Sequence, residues 1–356
     1  MGLKKTILRL LPSYRAKDAI LDEICQLSSS LRSIEVKLDN LKHNNEYFFY
    51  CLQHLDDETL LETKQRVFLH LPKAGGEIQD FQIAANYILQ RVKRICEKEG
   101  IEFFLDWGTL LGAVRHQGFI PWDDDVDVGI MRDDYYRLMS AVNKDPELEM
   151  HRYYRYTRPG IEAGYVTKIK LRCSDLFFVD VFPLDMVPIV QENVDKTWHE
   201  SELMCEAFHN ELNELFIKNG FPVDCCVPTR YPEIDIKVRD LEYTYCNAII
   251  SSYPKSNMTS NYLWCGVDQL AFLRRTRKAI PEQYFFPLIQ NGACFEGEQY
   301  SIPKETDWYL RTVYGDYMSF PAKIQQVHIK ELTKIDENNK AIIERIKMID
   351  RNETNE

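Results

Sequence analysis

The sequence predicts an α/β (or α+β) protein in which a small sheet is flanked by helices and preceded by a long helical extension. Short segments in which apolar and polar residues alternate are typical of strands, and they lie between longer stretches with helical spacing. The first 75 residues carry a heptad pattern. A length of 356 residues allows one large domain or two ordinary ones.

The N-terminal extension, residues 1–75, is predicted to contain a long amphipathic helix. Apolar residues recur there in steps of four and three over three heptads, without Gly or Pro among them. This seam is expected either to pair with another copy of the chain through residues 17–45 or to pack on the chain's own main domain. The seam consists of Ile20, Ile24, Leu27, Leu31, Ile34, Leu38 and Leu41, with Glu23, Glu35, Lys37 and Lys42 beside it.

The segment Leu3–Leu11 precedes the heptads and is both basic and apolar. Its Lys4, Lys5 and Arg9 favour contact with an anionic membrane surface, and a frayed helix start is the alternative. The apolar stretch is too short for a secretory signal, and no apolar run of about 18 residues occurs. We therefore expect a cytoplasmic protein, with the inner face of the membrane as a second location.

The main domain is predicted to follow a linker at Pro72–Glu77. A helix ending near Gly100 leads into a strand in IEFFLDWG, and a short helix from Thr109 to about Arg115 follows the turn. A second strand is predicted in DDDVDVGI. Two further strands are predicted near 165–172 and 176–182, and residues 195–275 are predicted to be mostly helical. The main domain is predicted to span residues 76–325, and a C-terminal helix and tail to span residues 326–356.

Composition excludes several classes of function. A net charge of −11 argues against a protein that coats nucleic acid, because such proteins present a basic face to the phosphates. The ten cysteines contain no Cys-x-x-Cys spacing, so we expect reduced thiols rather than a zinc site or a disulfide framework. A local basic pocket for a small anion is compatible with this charge.

Closely spaced aspartates dominate the stretch Asp106–Ile130. In a strand, alternate side chains share a face, so Asp123, Asp125 and Asp127 would project together while Val126 and Val128 face the core. Such carboxylates repel one another unless a cation lies among them, although an acidic run taken by itself is more often a solvated turn. Asp180 lies in the apolar segment LFFVDVFPLD, where an unpaired carboxylate is costly.

Oxygen ligands at short spacing suit Mg²⁺ or Mn²⁺, which fill their remaining positions with water and substrate phosphates. We therefore predict Asp125, Asp127 and Asp180 as the metal-binding and catalytic residues. The spacing accommodates one or two ions, and Asp180 is either a ligand or a general base.

Phosphate-binding groups are predicted on both sides of these acids. The amides that follow Gly108, together with Thr109, open a helix whose N-terminus is a natural seat for a phosphate. His116 is expected to be an ordinary surface histidine. For each basic candidate the alternative is a solvated charge, and three of them share one strand face by alternation. The basic candidates are Arg115, Lys168, Lys170 and Arg172.

Three sequence blocks resemble the LicD family of bacterial phosphocholine transferases, which is related to the fukutin proteins. The blocks are DWGTLLGAVRHQGFIPWDDDVDVGIMRDDY, KIKLRCSDLFFVDVFPLD and FEGEQYSIPKETDWYLRTVYGDYMSFP, within roughly residues 80–325. The resemblance implies a nucleotidyltransferase-like fold with a small mixed sheet flanked by helices. Gly108-Thr109, Asp125-Val126-Asp127 and Asp180 match its turn, its Asp-x-Asp strand and its third acid.

The resemblance also implies an activity. Members of the family use CDP-activated donors such as CDP-choline or CDP-ribitol, deliver phosphocholine or an alditol phosphate to a sugar, and release CMP. For this chain we expect a metal-dependent phosphotransferase that acts on a glycan hydroxyl in cell-surface polysaccharide synthesis, such as that of capsule or lipopolysaccharide. Two alternatives are a nucleotidyltransferase that moves NMP from an NTP and a non-catalytic coiled-coil assembly protein.

Parts of the chain depart from the family pattern. The zinc-binding cysteines of the fukutin-related branch have no visible counterpart, and the extension before residue 76 lies outside the match. The last block, which contains Tyr309 and Arg311, carries no chemistry that the resemblance assigns. We expect a supporting role for that block.

Overall fold

A computed structural model describes most of the chain. The described residues are 12–155, 164–190, 194–220, 226–228, 232–251, 259–264, 280–321 and 335–353. The predicted membrane-contacting segment Leu3–Leu11 lies outside them. Among the described residues, none of the helices combines the length and the apolar character needed to cross a bilayer.

The chain divides into two compact units, residues 1–67 with 318–320, and the remainder. In the described part of the first unit, the long helix α1 (Pro12–Gln53) precedes the start of α2 (Leu60–Leu69). The ring of Phe320 stacks on Tyr50 and packs edge-on against Phe49. The domain limits that the sequence suggested, after residues 75 and 325, stay predictions.

The second unit is mixed α/β, which confirms the predicted class. Its helices are α3 (Glu77–Glu99), α4 (Trp107–His116), α5 (Arg132–Val142), α6 (Val194–Lys218), α7 (Pro232–Ser251), α8 (Glu282–Phe285), α9 (Thr306–Tyr314) and α10 (Glu337–Glu353). Its strands are β1 (Phe103–Leu105), β2 (Asp127–Met131), β3 (Leu148–Arg155), β4 (Gly164–Leu171), β5 (Phe178–Val190), β6 (Cys226–Pro228), β7 (Thr259–Trp264), β8 (Ile280–Pro281), β9 (Ile289–Phe295) and β10 (Glu298–Ile302).

The main sheet has the strand order β1-β2-β5-β4-β3-β6, with β7 paired to β5 and β8 to β7. Only β2 and β5 run parallel among the described pairs of this sheet, so the sheet is mixed. The parallel register places Asp127 opposite Asp180, and the antiparallel register of β4 and β5 places Lys168 opposite Asp180. Strands β9 and β10 form a separate hairpin.

The core forms where helices cover this sheet. Helix α3 packs on β4 and β5, and α10 packs on α3. The buried residues of α3 include Ala84, Ile88 and Val92, whose spacing of four places them on one face. Val128 and Ile130 of β2 are completely buried. This apolar interior fixes β2 and β5 side by side, so the polar residues at their starts are held in register.

The structure corrects several predicted element boundaries, among them that of β5, which spans Phe178–Val190 rather than 176–182. Strand β2 begins at Asp127, so Asp123 and Asp125 lie in the loop before it, and strand alternation does not place them. Helix α4 begins at Trp107 rather than at Thr109. A buried Asp106 side chain accepts a hydrogen bond from the first amide of that helix, which fixes the earlier start.

Candidate functional site

Three carboxylates converge near the starts of the parallel strands β2 and β5. Asp127 and Asp180 are register partners, and Asp125 precedes Asp127 by two residues. One oxygen of each lies within 4.8 Å of the others. The Asp180 amide donates to the carbonyl of Val126 at 2.7 Å, which holds the Asp125 loop beside β5. We call Asp125, Asp127 and Asp180 the acidic site.

Asp127 bears a high electrostatic cost in the acidic site. Burial raises the pKa of Asp127 well above its usual range, and the charges of Asp125 and Asp180 raise it further. A cation among these oxygens would offset both effects, because it replaces lost hydration and separates like charges. Hard carboxylate oxygens in this arrangement fit Mg²⁺ or Mn²⁺.

A second group of carboxylates adjoins the acidic site. Oxygens of Asp123, Asp124 and Asp125 also lie within 4.8 Å of one another. A Cβ atom placed on Gly108 would lie 2.8 Å from an Asp123 oxygen and 3.9 Å from an Asp127 oxygen. Glycine at position 108 therefore lets the first turn of α4 approach the carboxylates, and a side chain there would displace Asp123.

Helix α4 is tied directly to the acidic site. The hydroxyl of Thr109 accepts a hydrogen bond from the Asp127 amide at 2.7 Å, which joins the first turn of α4 to the start of β2. Trp107 has a φ of 42°, a left-handed conformation that a bulky residue rarely adopts. This turn brings the amides of Gly108 and Thr109 into the first turn of the helix, where an anion is favoured.

Lys168 is the predicted basic residue that the structure brings to the acidic site. Its Nζ lies 2.7 Å from Asp180 Oδ1, and the ammonium also lies over the ring of Phe178. Both side chains of this ion pair are largely buried. Lys168 therefore compensates one of the three carboxylates and presents a cation at the edge of the site.

The other three basic candidates are held by contacts elsewhere in the second unit. The buried Lys170 pairs with Glu149 at 3.0 Å and also contacts Asp175. Arg172 donates to the carbonyls of Asn143 and Asp145 at 2.9 and 3.1 Å. That Lys170 or Arg172 binds a donor phosphate stays a prediction, and their observed ion pairs and hydrogen bonds do not support it.

Arg115 is buried in the second unit, and His116 is half-buried beside it. Arg115 is buried, donates to the Tyr317 carbonyl at 2.7 Å and lies over the Phe68 ring. His116, expected as an ordinary surface histidine, is half-buried and bonded on both ring nitrogens: Nδ1 donates to the Phe68 carbonyl at 2.8 Å, and Nε2 accepts from Arg115 at 3.0 Å. Burial, followed by the charge of Arg115, lowers the pKa of His116 to about 4, so the ring is neutral.

Asp106 and Tyr309 form a contact that the sequence did not predict. The Tyr309 hydroxyl donates to Asp106 Oδ1 at 2.5 Å, and the Asp106 amide donates to the Asp127 carbonyl at 3.1 Å. Burial raises the pKa of Asp106 to about 6, although its hydrogen bonds with Tyr309 and the Trp107 amide lower it. An Asp directly before a helix is a signal for an N-cap, but nothing in the sequence relates it to a tyrosine 203 positions later.

Known proteins that are similar to this chain agree with the interpretation of its sequence motifs. The profile of the LicD family, described as LicD/FKTN/FKRP, nucleotidyltransferase domain, matches residues 100–218. A lipopolysaccharide cholinephosphotransferase LicD of Haemophilus influenzae is 26% identical over 289 residues, which are 71% of this chain and 97% of the relative. The predicted resemblance to the LicD family is confirmed.

Two human relatives match shorter parts of the chain. Ribitol-5-phosphate transferase FKTN is 27% identical over 128 residues, which are 36% of this chain and 24% of the relative. Ribitol 5-phosphate transferase FKRP is 50% identical over 40 residues, which are 11% of this chain and 8% of the relative. The similarity to the ribitol phosphate transferases is therefore confined to a small part of each.

Proposed function

We propose that this chain, which carries a nucleotidyltransferase domain of the LicD family, is a metal-dependent phosphotransferase that modifies a glycan. The observation that carries the proposal is the convergence of Asp125, Asp127 and Asp180 within the segment that the family profile matches. The Haemophilus relative, aligned over 97% of its length, is a cholinephosphotransferase by name, and the human relatives are ribitol phosphate transferases by name. These names support transfer of phosphocholine or an alditol phosphate.

The acidic site would hold Mg²⁺ or Mn²⁺. When bound there, such an ion supplies positive charge to the donor's phosphate oxygens and to the phosphoryl group in transfer. We assign Asp180 to the ligand set together with Asp125 and Asp127, because their oxygens share one small volume. The carboxylates are held in place before a metal binds. The hydrogen bond from the Asp180 amide to the Val126 carbonyl and the one from the Asp127 amide to the Thr109 hydroxyl fix β2, β5 and the loop before β2.

The donor is a CDP-activated small group such as CDP-choline or CDP-ribitol. In this proposal the amides of Gly108 and Thr109 donate to its phosphates, and the ammonium of Lys168 beside Asp180 adds a side-chain cation. Glycine at position 108 supports this arrangement, because the space its missing side chain leaves lies against the carboxylates of Asp123 and Asp127.

The reaction is a displacement at phosphorus. The acceptor hydroxyl attacks the phosphorus that bears the small group, a new P–O bond forms, and the bond to the CMP phosphate breaks. CMP leaves with the electron pair, and the hydroxyl proton passes to water. The residues of the chain orient the donor and balance charge, which are the main contributions that phosphoryl transfer requires of a protein.

A donor screen tests this function. The full chain is incubated with Mg²⁺ and, in turn, with CDP-choline, CDP-ribitol and CDP-glycerol, and binding is measured by calorimetry. Binding of one donor that requires the metal, followed by CMP release when a glycan acceptor is added, is the expected result. Pyrophosphate release from an NTP would instead identify a nucleotidyltransferase. A chain that binds no nucleotide in either condition would be an assembly protein.

A further inference from the structure

Helix α1 presents a long apolar stripe to solvent. The stripe comprises six seam residues that are each 52–61% exposed, namely Ile24, Leu27, Leu31, Ile34, Leu38 and Leu41. Phe48 and Leu52, which are 64% and 84% exposed, continue the heptad spacing, seven residues after Leu41 and fourteen after Leu38. The stripe therefore runs beyond the three heptads that the sequence first indicated, and it follows the a and d positions of a coiled coil.

This stripe has the size of a protein interface. The helix has 42 residues and is therefore about 63 Å long at 1.5 Å per residue. Eight large apolar side chains, each more than half exposed, offer on the order of 800 Å², which is what each partner contributes to a standard stable complex. Helices of proteins take most of their stability from packing of the apolar face, so a stripe of this extent calls for a partner helix.

The heptad period identifies the partner as a helix with the same repeat. A coiled coil needs two stripes of similar length and period so that knobs meet holes along the whole contact. Among the described helices the next longest is α6, with 25 residues, and it packs on α7. A second α1 provides a stripe of the same length and register.

The polar residue inside the stripe gives the orientation. With Ile24, Leu31 and Leu38 at a positions, the next a position is Asn45 and the following one is Leu52. An Asn at a single a position favours parallel, in-register pairs, because each Asn then meets the Asn of the other chain. Lys37 at g would face Lys42 at e of the second chain, a like-charged contact that weakens such a pair without excluding it.

We propose that α1 pairs with α1 of a second copy of this chain as a parallel two-stranded coiled coil, with the two Asn45 side chains in contact. The inference concerns residues outside the acidic site and does not depend on the proposed function. It predicts that the full chain is a dimer.

Sedimentation equilibrium of the full chain tests the pairing. The double variant Leu31→Lys with Leu38→Lys places charges at two a positions, and Ser33→Lys with Val36→Lys adds the same charge at c and f positions, which are exposed in either state. Wild type and the control should sediment as dimers at concentrations where the a-position variant sediments as a monomer. A monomeric wild type, or equal dissociation constants for the two double variants, would overturn the proposal.

A second variant is expected to strengthen the dimer, so that the proposal can be tested even if the a-position variant does not fold. Lys37→Glu converts the like-charged contact with Lys42 into an attractive one in a parallel pair. Its dimer dissociation constant should be about fivefold lower than that of wild type at low salt, and the difference should shrink at high salt. A weaker dimer in this variant would contradict parallel pairing.

Discussion

Two buried carboxylates on strand β5, Asp180 and Asp185, have opposite surroundings. Asp185 forms a bidentate pair with Arg132, with Nε–Oδ1 and Nη2–Oδ2 distances of 3.1 and 2.9 Å. Asp180 instead lies beside two other aspartates, with Lys168 as its ion-pair partner. Because the two positions are five apart on a strand, their side chains project to opposite faces of the sheet.

The surroundings of Asp185 form a network of compensated charges. Glu242 and Arg152 are fully buried and pair at 3.1 Å, and the Tyr136 hydroxyl donates to Glu242 at 2.9 Å. Both arginines of the network, Arg132 and Arg152, also lie beside the ring of Tyr135. We call Arg132, Arg152, Asp185 and Glu242 the ionic network. Two positive charges match two negative ones, and the residues come from β3, β5, α5 and α7.

The difference shows how a buried charge cluster can be interpreted. The ionic network contains its own counterions, so its natural role is to join helices to the sheet. The acidic site contains three carboxylates and one ammonium. Burial raises the pKa of Asp127, and the neighbouring carboxylates raise it further. A buried cluster with excess charge of one sign is a candidate for a ligand of the opposite sign.

The sharpest test of this comparison replaces a charge in the acidic site. Asp127→Asn should lower transferase activity by about a thousandfold, equivalent to ~4 kcal/mol, since the site loses an anionic ligand. Thermal stability measured without metal should not fall, because the substitution removes repulsion. The exposed Asp133→Asn on α5 is the control. Retention of more than a tenth of the wild-type rate would remove Asp127 from the proposed site.

An acid-to-amide substitution in the ionic network should lower stability rather than act first on activity. Glu242→Gln leaves Arg132 and Arg152 buried with one carboxylate fewer, which should cost about 3–5 kcal/mol in the free energy of unfolding. Denaturant unfolding measures the loss, with the exposed Glu214→Gln on α6 as the control. A loss below about 1 kcal/mol would mean that the network stabilises the fold little.

A pH test extends the comparison to His116, a half-buried base bonded to the Phe68 carbonyl and to Arg115. The pKa of His116 is lowered to about 4 in the folded state, so protonation favours the unfolded state, whose imidazole titrates near 6.5. The contribution of neutral His116 is complete above about pH 6.5 and is lost as the pH falls to about 4, with a maximum of about 3 kcal/mol. His116→Gln should flatten stability against pH in that window, and an unchanged slope would contradict the assignment.

A substitution at Lys168 tests whether its ammonium binds the donor or only balances the charge of Asp180. Lys168→Met should raise the dissociation constant of the donor about tenfold, or ~1.4 kcal/mol, if the ammonium contacts a donor phosphate. Metal affinity should not weaken, because the substitution removes a cation from Asp180. Calorimetry measures both, with the exposed Lys237→Met as the control. Weakened metal binding with unchanged donor binding would assign Lys168 to the metal site instead.

The smallest effect is expected from a substitution at Tyr309, whose hydroxyl bonds Asp106. Tyr309→Phe removes the hydroxyl that donates to Asp106, which should destabilise the fold by about 1 kcal/mol. We expect a loss of activity of a few fold, because Asp106 caps α4 and its amide bonds the Asp127 carbonyl. Thermal unfolding and steady-state rates measure the two effects. A fully active but destabilised variant would restrict Tyr309 to a structural role.

Local patterns in the sequence determined much of this protein. The mixed α/β class, the α1 heptads and the three aspartates of the acidic site were all predicted from spacing and from the family resemblance. These features are local, since each depends on periodicity within one segment or on a motif within one loop and strand. The parallel pairing of β2 with β5, which places Asp127 opposite Asp180, is a property of the tertiary structure.

Only the tertiary structure decided which charges meet. It places Lys168 on Asp180 but Lys170 on Glu149, although the two lysines are two residues apart on one strand. It also joins Tyr309 to Asp106 and gathers the ionic network from four elements. Such contacts connect residues far apart in the chain, and the sequence pattern of a buried carboxylate is the same whether an arginine, a lysine or a metal ion lies opposite it. The physical reason is that the free energy of a buried charge depends on its neighbours in space.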